Sequence, residues 1–191
     1  MKKFIVSSIL LIILVLGLYY YISNIREQSS GSGQITTSKV QGAIIRNLDA
    51  RYPPTPKEVV RFFVETYQIL YNEDYSRREF EVLGEQLYRL YDQELAEENP
   101  WEQYLDELQT DVDGYRKQDR AVSSFVVSSA TDVVYFNEKR NEENHDFARL
   151  HCIVTFRQGT DLFLVDHQFL LRKGEGGRWY ILGWRKEELP S

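Results

Sequence analysis

Hydrophobic positions fall into three regimes along the chain. Residues 4–22 form an unbroken apolar run of nineteen positions without a charge, interrupted only by Ser7, Ser8 and Gly17. At about 1.5 Å per residue such a helix matches a hydrocarbon core about 30 Å thick, so the run predicts a transmembrane helix. Residues 23–50 follow as a polar stretch containing Ser29-Ser30-Gly31-Ser32-Gly33, the composition of a flexible linker. Within it, Val40, Ile44 and Leu48 recur at four-residue spacing and predict a short helical turn, which Tyr52-Pro53-Pro54 ends. Residues 51–191 then show first a helical and later a two-residue period, the mark of one α+β domain.

Three helix starts stand out. Thr55-Pro56-Lys57-Glu58 joins an N-cap, a proline at the first helical position and a capping-box glutamate, ahead of the stripe Val59, Phe63, Tyr67 and Leu70. Ser76 and Glu79 repeat the box before Phe80, Leu83, Leu87 and Leu90. Asn99-Pro100-Trp101-Glu102 precedes Trp101, Tyr104, Leu105, Leu108, Val112 and Tyr115. Each stripe is one-sided, so all three helices must bury a face. The acidic runs at 92–98 and 106–113 read as their solvated sides.

After Gly114 the period becomes 2. Strands are expected over 122–128 and 132–137, or one long strand bent near Ala130, and then over 149–157, 161–172 and 178–184, with a charged loop over 138–146. A three-residue turn at 158–160 would set Arg157 opposite Asp161, Ile153 opposite Val165, and His151 opposite His167. Ile153, Val165, Phe169, Trp179 and Ile181 would then share one face. Val154, Phe156, Leu164, Leu182 and Trp184 would share the other, which leaves an outer sheet face free for a second copy or another envelope protein.

Charge refines this picture. The chain carries a formal −6, and residues 1–26 hold three basic residues (Lys2, Lys3, Arg26) and no acidic one, leaving 20 basic against 29 acidic, a net −9. So acidic a domain repels phosphate backbones, which argues against nucleic acid as a partner. Lys2 and Lys3 before the apolar run outweigh Arg26 after it, which predicts a cytoplasmic N-terminus and an extracytoplasmic domain held at the cell membrane by a single pass. Tyr19, Tyr20 and Tyr21 suit the headgroup layer. The same bulky residues offer no small-x-small cleavage site, which favours an anchor over a cleaved signal peptide. The single cysteine, Cys152, excludes an intrachain disulfide.

Candidate chemistry is sparse. No phosphate loop, dinucleotide fingerprint, HExxH, GxSxG or calcium-loop pattern occurs. The expected register leaves one pair to consider, His151 and His167, on the face shared with Trp179 and Ile181. A histidine near neutral pKa suits proton transfer, but no carboxylate falls beside the pair in that register. As metal ligands the two lack a third donor, so no metal and no cofactor is expected.

The ending Phe169-Leu-Leu-Arg-Lys-Gly-Glu-Gly-Gly-Arg-Trp179-Tyr-Ile181-Leu-Gly183, after helices and a sheet, resembles the nuclear-transport-factor-2-like (cystatin-like, α+β cone) superfamily. Tyr52-Pro-Pro-Thr-Pro-Lys-Glu-Val59 and Tyr71-Asn-Glu-Asp-Tyr75 add a resemblance to a family of membrane-anchored bacterial proteins with that fold and no assigned activity. The resemblance implies three helices packed on a curved antiparallel sheet. Enzymes, pocket binders and scaffolds share such a fold, so it does not choose among functions. Two expectations therefore stand: a non-catalytic interaction or scaffold domain working through its outer sheet face, and a small-molecule cone pocket or enzyme using His151 and His167.

Overall fold

The computed structural model describes residues 38–140 and 143–189. Among them, helices α1 (Lys39–Ile44), α2 (Pro56–Asn72), α3 (Arg77–Tyr88), α4 (Gln93–Glu98) and α5 (Trp101–Lys117) come first. Strands β1 (Arg120–Val127), β2 (Val134–Arg140), β3 (Glu143–Gln158), β4 (Asp161–Lys173) and β5 (Trp179–Leu189) follow. The fold is α+β, with the helices packed on a five-stranded antiparallel sheet. The expected membrane segment at 4–22 and most of the expected linker lie outside the described residues. No helix among the described residues is long and apolar enough to cross a membrane.

Local chemistry starts two helices as expected. Thr55 Oγ1 accepts from Glu58 N–H ahead of Pro56. Ser76 and Glu79 complete both halves of a capping box, and the Ser76 backbone N–H and hydroxyl hold the Glu79 carboxyl below its usual range. The third start differs. Pro100 is the cap of α5, and Asn99 closes α4 instead, its Nδ2 donating to Leu95 O at 2.8 Å. A six-residue helix stands directly in front of α5, and its last carbonyls compete for the asparagine.

The packed domain begins earlier than residue 51. Val40, Ala43 and Leu48 are buried in the core, and Gln86 Nε2 on α3 donates to the carbonyls of Ala43, Ile44 and Arg46 at the end of α1. Residues 38–50 are therefore a docked part of the fold. Polarity concealed this, because α1 turns only its narrow apolar side inward and meets the end of α2 through the Lys39–Glu73 ion pair and α3 through the amide of Gln41, which donates to Glu79.

The sheet order is β1-β3-β4-β5, and β2 pairs with the first half of β3 while β1 pairs with its second half. The charged residues expected to form a loop are mostly paired backbone, with Asn137 opposite Asp146 and Lys139 opposite Asn144. This ribbon is wet on both sides, so it carries no apolar alternation to read.

Two features reset the faces of the sheet. The β3–β4 turn holds two residues, Gly159 and Thr160, with Gly159 at φ 58°, so Gln158 lies opposite Asp161 and Cys152 opposite His167. The expected Arg157–Asp161 pairing is thus off by one residue. Arg157 instead donates to Gly159 O at 3.4 Å. Every side chain on β4 exchanges its expected partner. Further along, the pairing shifts between Leu170 and Leu171, so Phe169 meets Trp184 while Leu171 meets Ile181. That bulge turns Ile181 and Trp184 to the same, inner side, although they are three positions apart and would face opposite sides of a regular strand.

The inner face of β3, β4 and β5 contributes Leu150, Cys152, Val154, Phe169, Leu171 and Ile181 to one core with α2, α3 and α5. Helices α3 and α5 approach closely at Gly84, where an added Cβ would sit 2.9 Å from Leu105 Cδ2. Leu90 and Asp92 exchange backbone bonds of 2.8 Å with Ile181, which fastens the α3–α4 connection to β5. Asp92 also accepts from Arg172 Nε at 2.9 Å, and Glu94 bridges Arg140 and Arg172, so α4 is clamped to β2 and β4.

Candidate functional site

Between the helices and the inner sheet face lies a cavity of about 270 Å³, walled by α2, α3 and α5 on one side and β3, β4 and β5 on the other. Phe63, Tyr91, Phe169 and Trp184 make its aromatic wall. Phe63 stands 5.3 Å from Trp184 and 5.6 Å from Phe169, ring centre to ring centre, and Tyr91 stands 6.0 Å from Trp184. Their contacts are tilted or edge-on, the geometry that exposes ring faces to a guest.

His167 enters this wall from β4. It is 5 % exposed, its ring lies over Phe169, and its Nδ1 is 3.2 Å from Val165 O. A ring nitrogen facing a carbonyl carries the proton, so in the neutral ring Nε2 is the acceptor. Burial, followed by the positive charge of Lys186 across the strand pair, lowers the His167 pKa. The Val165 and Cys152 carbonyls and Asp166 oppose that shift without reversing it. The imidazole is therefore held neutral near pH 7.

Asp111 enters from α5 and accepts from two phenols of α2, Tyr67 at 3.3 Å and Tyr71. Burial, reinforced by the Asp111 charge, raises both tyrosine pKa values well above the phenol range and keeps them as donors. Glu107, one turn earlier on α5, accepts from Gln103 at 2.9 Å, and Lys186 reaches the cavity from β5. Among the described residues none of Asp111, Glu107 and Lys186 has an ion-pair partner. The cavity thus combines an aromatic wall with unpaired charges of both signs.

Only one residue of the expected histidine pair is here. The two-residue turn puts His151 on the outer face, where its Nδ1 lies 2.7 Å from Asp166 Oδ2 and its Nε2 lies 3.2 Å from Gln168 Nε2. His151 and His167 therefore do not meet, and although the expected register left the pair without a carboxylate, Asp166 is the partner of His151. The other oxygen of Asp166 is buried without a hydrogen bond. Trp179 and Ile181 both point inward but lie outside the cavity wall. Ile181 is core, while Trp179 packs on Tyr135 and gives its carbonyl to Tyr52 Oη at 2.8 Å.

Burial pushes the thiol of Cys152, opposite His167 on the inner face, up to about 12, which leaves it unreactive. Among the described residues no group of three or more His, Cys, Asp or Glu could hold a metal ion. Asp111 was the residue to find from sequence. It lies seven positions after Tyr104 and four before Tyr115, on the apolar stripe of α5 rather than on its solvated side. Trp184 and Lys186 carried no such signal, because a bulge decides which way they face.

A family model described as Domain of unknown function (DUF6715) matches residues 1–184, and the chain belongs to that family. No curated protein matches it.

Proposed function

We propose that this member of the family is a membrane-tethered binding domain of the nuclear-transport-factor-2-like cone type, whose inner cavity receives a small molecule. The observation that carries the reading is the aromatic cavity of about 270 Å³ with His167, Asp111 and Lys186 at its wall. Ligand sites are concave and mostly apolar with a few convergent polar groups, and this volume sits at the small end of their range. The cone assignment is supported by helices laid on one face of a sheet in which a single 16-residue strand, β3, takes both β1 and β2 along one edge and β4 along the other. The uncharged run at 4–22 supports the tether, and the family match runs through it. Two lysines before that run support an extracytoplasmic domain.

Ligand-dependent change in tryptophan fluorescence of the full chain in detergent micelles, absent from Trp184→Phe, tests the reading. A Leu108→Phe variant that fills the cavity is expected to abolish it, and an undiminished response there would sink the proposal. Topology has its own test. Ser124→Cys, exposed on β1, should react with a membrane-impermeant maleimide on intact cells, while the buried Cys152 gives no background. Labelling only after lysis would reverse the orientation.

A second reading rests on the outer sheet face. Val126, Leu162 and Leu164 are 67, 52 and 37 % exposed, and Ile153 lies among them. Arg157 and Glu187 border this stripe with opposite signs, a pattern that a second copy of the chain meets with its own complement. Crosslinking in membranes that yields only monomers, in wild type and in Val126→Glu alike, would remove it.

A further inference from the structure

The charges at the cavity wall point to the chemistry of its occupant. Glu107 and Asp111 are four residues apart on α5 and so share one helix face, and both line the cavity. Like charges at that spacing repel each other and are disfavoured unless a cation stands between or beside them. No arginine or lysine does so among the described residues. The two phenols on Asp111 orient the carboxylate but leave its charge in place. Beside them are the rings of Tyr91 and Trp184, whose faces attract a desolvated cation.

The opposite wall has the opposite sign. Lys186 of β5 lines the same cavity, lies across from His167, and likewise has no carboxylate partner. Neutral His167 adds a hydrogen-bonding group without adding charge. One wall therefore waits for a cation and the other for an anion, in a space suited to a compact molecule.

From this juxtaposition, which rests on the ligand-binding reading above, we infer that the cavity takes a small zwitterion of the amino-acid or betaine class. Its ammonium group lies against Glu107, Asp111 and the aromatic faces, and its carboxylate meets Lys186.

Four compounds of one shape separate the contributions: glycine betaine, choline, 3,3-dimethylbutyrate and 3,3-dimethylbutanol, titrated into the full chain in micelles with heat or tryptophan fluorescence as the readout. Betaine should bind at least about tenfold more tightly than the cation or the anion alone, and the neutral alcohol most weakly. Asp111→Asn should weaken betaine and choline about tenfold or more and leave dimethylbutyrate unchanged. Lys186→Met should weaken betaine and dimethylbutyrate and spare choline. Because Asp111 also anchors two tyrosines, Glu107→Gln provides the same test at a position on the protein surface. If the neutral alcohol binds as tightly as betaine, the cavity binds ligands and the zwitterion inference falls. If none of the four binds, the zwitterion inference falls, and the ligand-binding reading is decided by the Leu108→Phe comparison above.

Discussion

Two faces of one sheet, built from adjacent residues, carry opposite chemistries in this domain. On β3 and β4, Cys152 and His167 point inward while His151 and Asp166, their immediate neighbours in sequence, point outward. The inner histidine is 5 % exposed, depressed in pKa, and set among aromatic rings. The outer one has a side chain 48 % exposed and rests on a carboxylate. Pleating alone makes the difference, since successive side chains leave a strand on opposite sides. Two imidazoles of the same sheet thus become a neutral acceptor at a cavity wall and a solvent-facing hydrogen-bond partner of a carboxylate.

The steepest contrast is in packing. Phe169→Ala, on the inner face beside Phe63 and Trp184, is expected to cost about 3–5 kcal/mol. Leu164→Ala, partly exposed outside, should cost under about 1 kcal/mol. Denaturant unfolding of both variants checks this, and equal losses would mean that the outer face is covered in solution. Gly84→Val probes the spacing of the helical layer over the inner face. With Leu105 2.9 Å from the position of a Cβ, overpacking should destabilise by about 1–3 kcal/mol and reduce ligand response in the same variant.

A smaller effect depends on pH. A buried histidine with a lowered pKa binds fewer protons folded than unfolded, so its contribution is intact above the unfolded value of about 6.5 and is lost as pH falls through the folded one. Wild-type stability should therefore drop between pH 7.5 and 5, by at most about 1.4 kcal/mol per pH unit from this group. His167→Asn should flatten that part of the profile, and an unchanged profile in the variant would assign the drop to carboxylates. The smallest effect belongs outside. His151→Ala removes an exposed pair, so thermal stability at pH 7 should change by under about 1 kcal/mol. A larger loss would mean that Asp166, whose second oxygen is buried and unpartnered, depends on that imidazole.

Helix starts at Thr55 and Ser76, the one-sided stripes behind them, and the change to strand period after Gly114 were legible because each depends on residues within one or two turns. Existence and order of the elements follow from such local signals, and so does the presence of a hydrophobic run at 4–22. The docking of α1 was half legible, in the spacing of Val40, Ile44 and Leu48, but its burial depends on Gln86, about forty residues away. The candidate site was legible least of all. His167 was visible as a histidine in a strand, and Asp111 stood on the wrong side of an acidic helix. Neither sign indicated that the two share a cavity.

Register explains why. A local rule favoured closing the hairpin with Arg157 opposite Asp161, and the fold instead uses Gly159 in a tighter turn that adds to the inner residues of β4 four inward side chains of β3, Leu150, Cys152, Val154 and Phe156. Burying those four side chains outweighs one exposed charge pair, because apolar burial is worth about 1.5–3 kcal/mol per large side chain and a surface pair about 0–1. The bulge at Leu170 then turns Trp184 inward to complete the wall. Composition and periodicity are sums over near neighbours and settle which elements form. A one-residue choice of register exchanges whole faces and is settled by the packing of distant elements, and in this protein that choice makes the cavity.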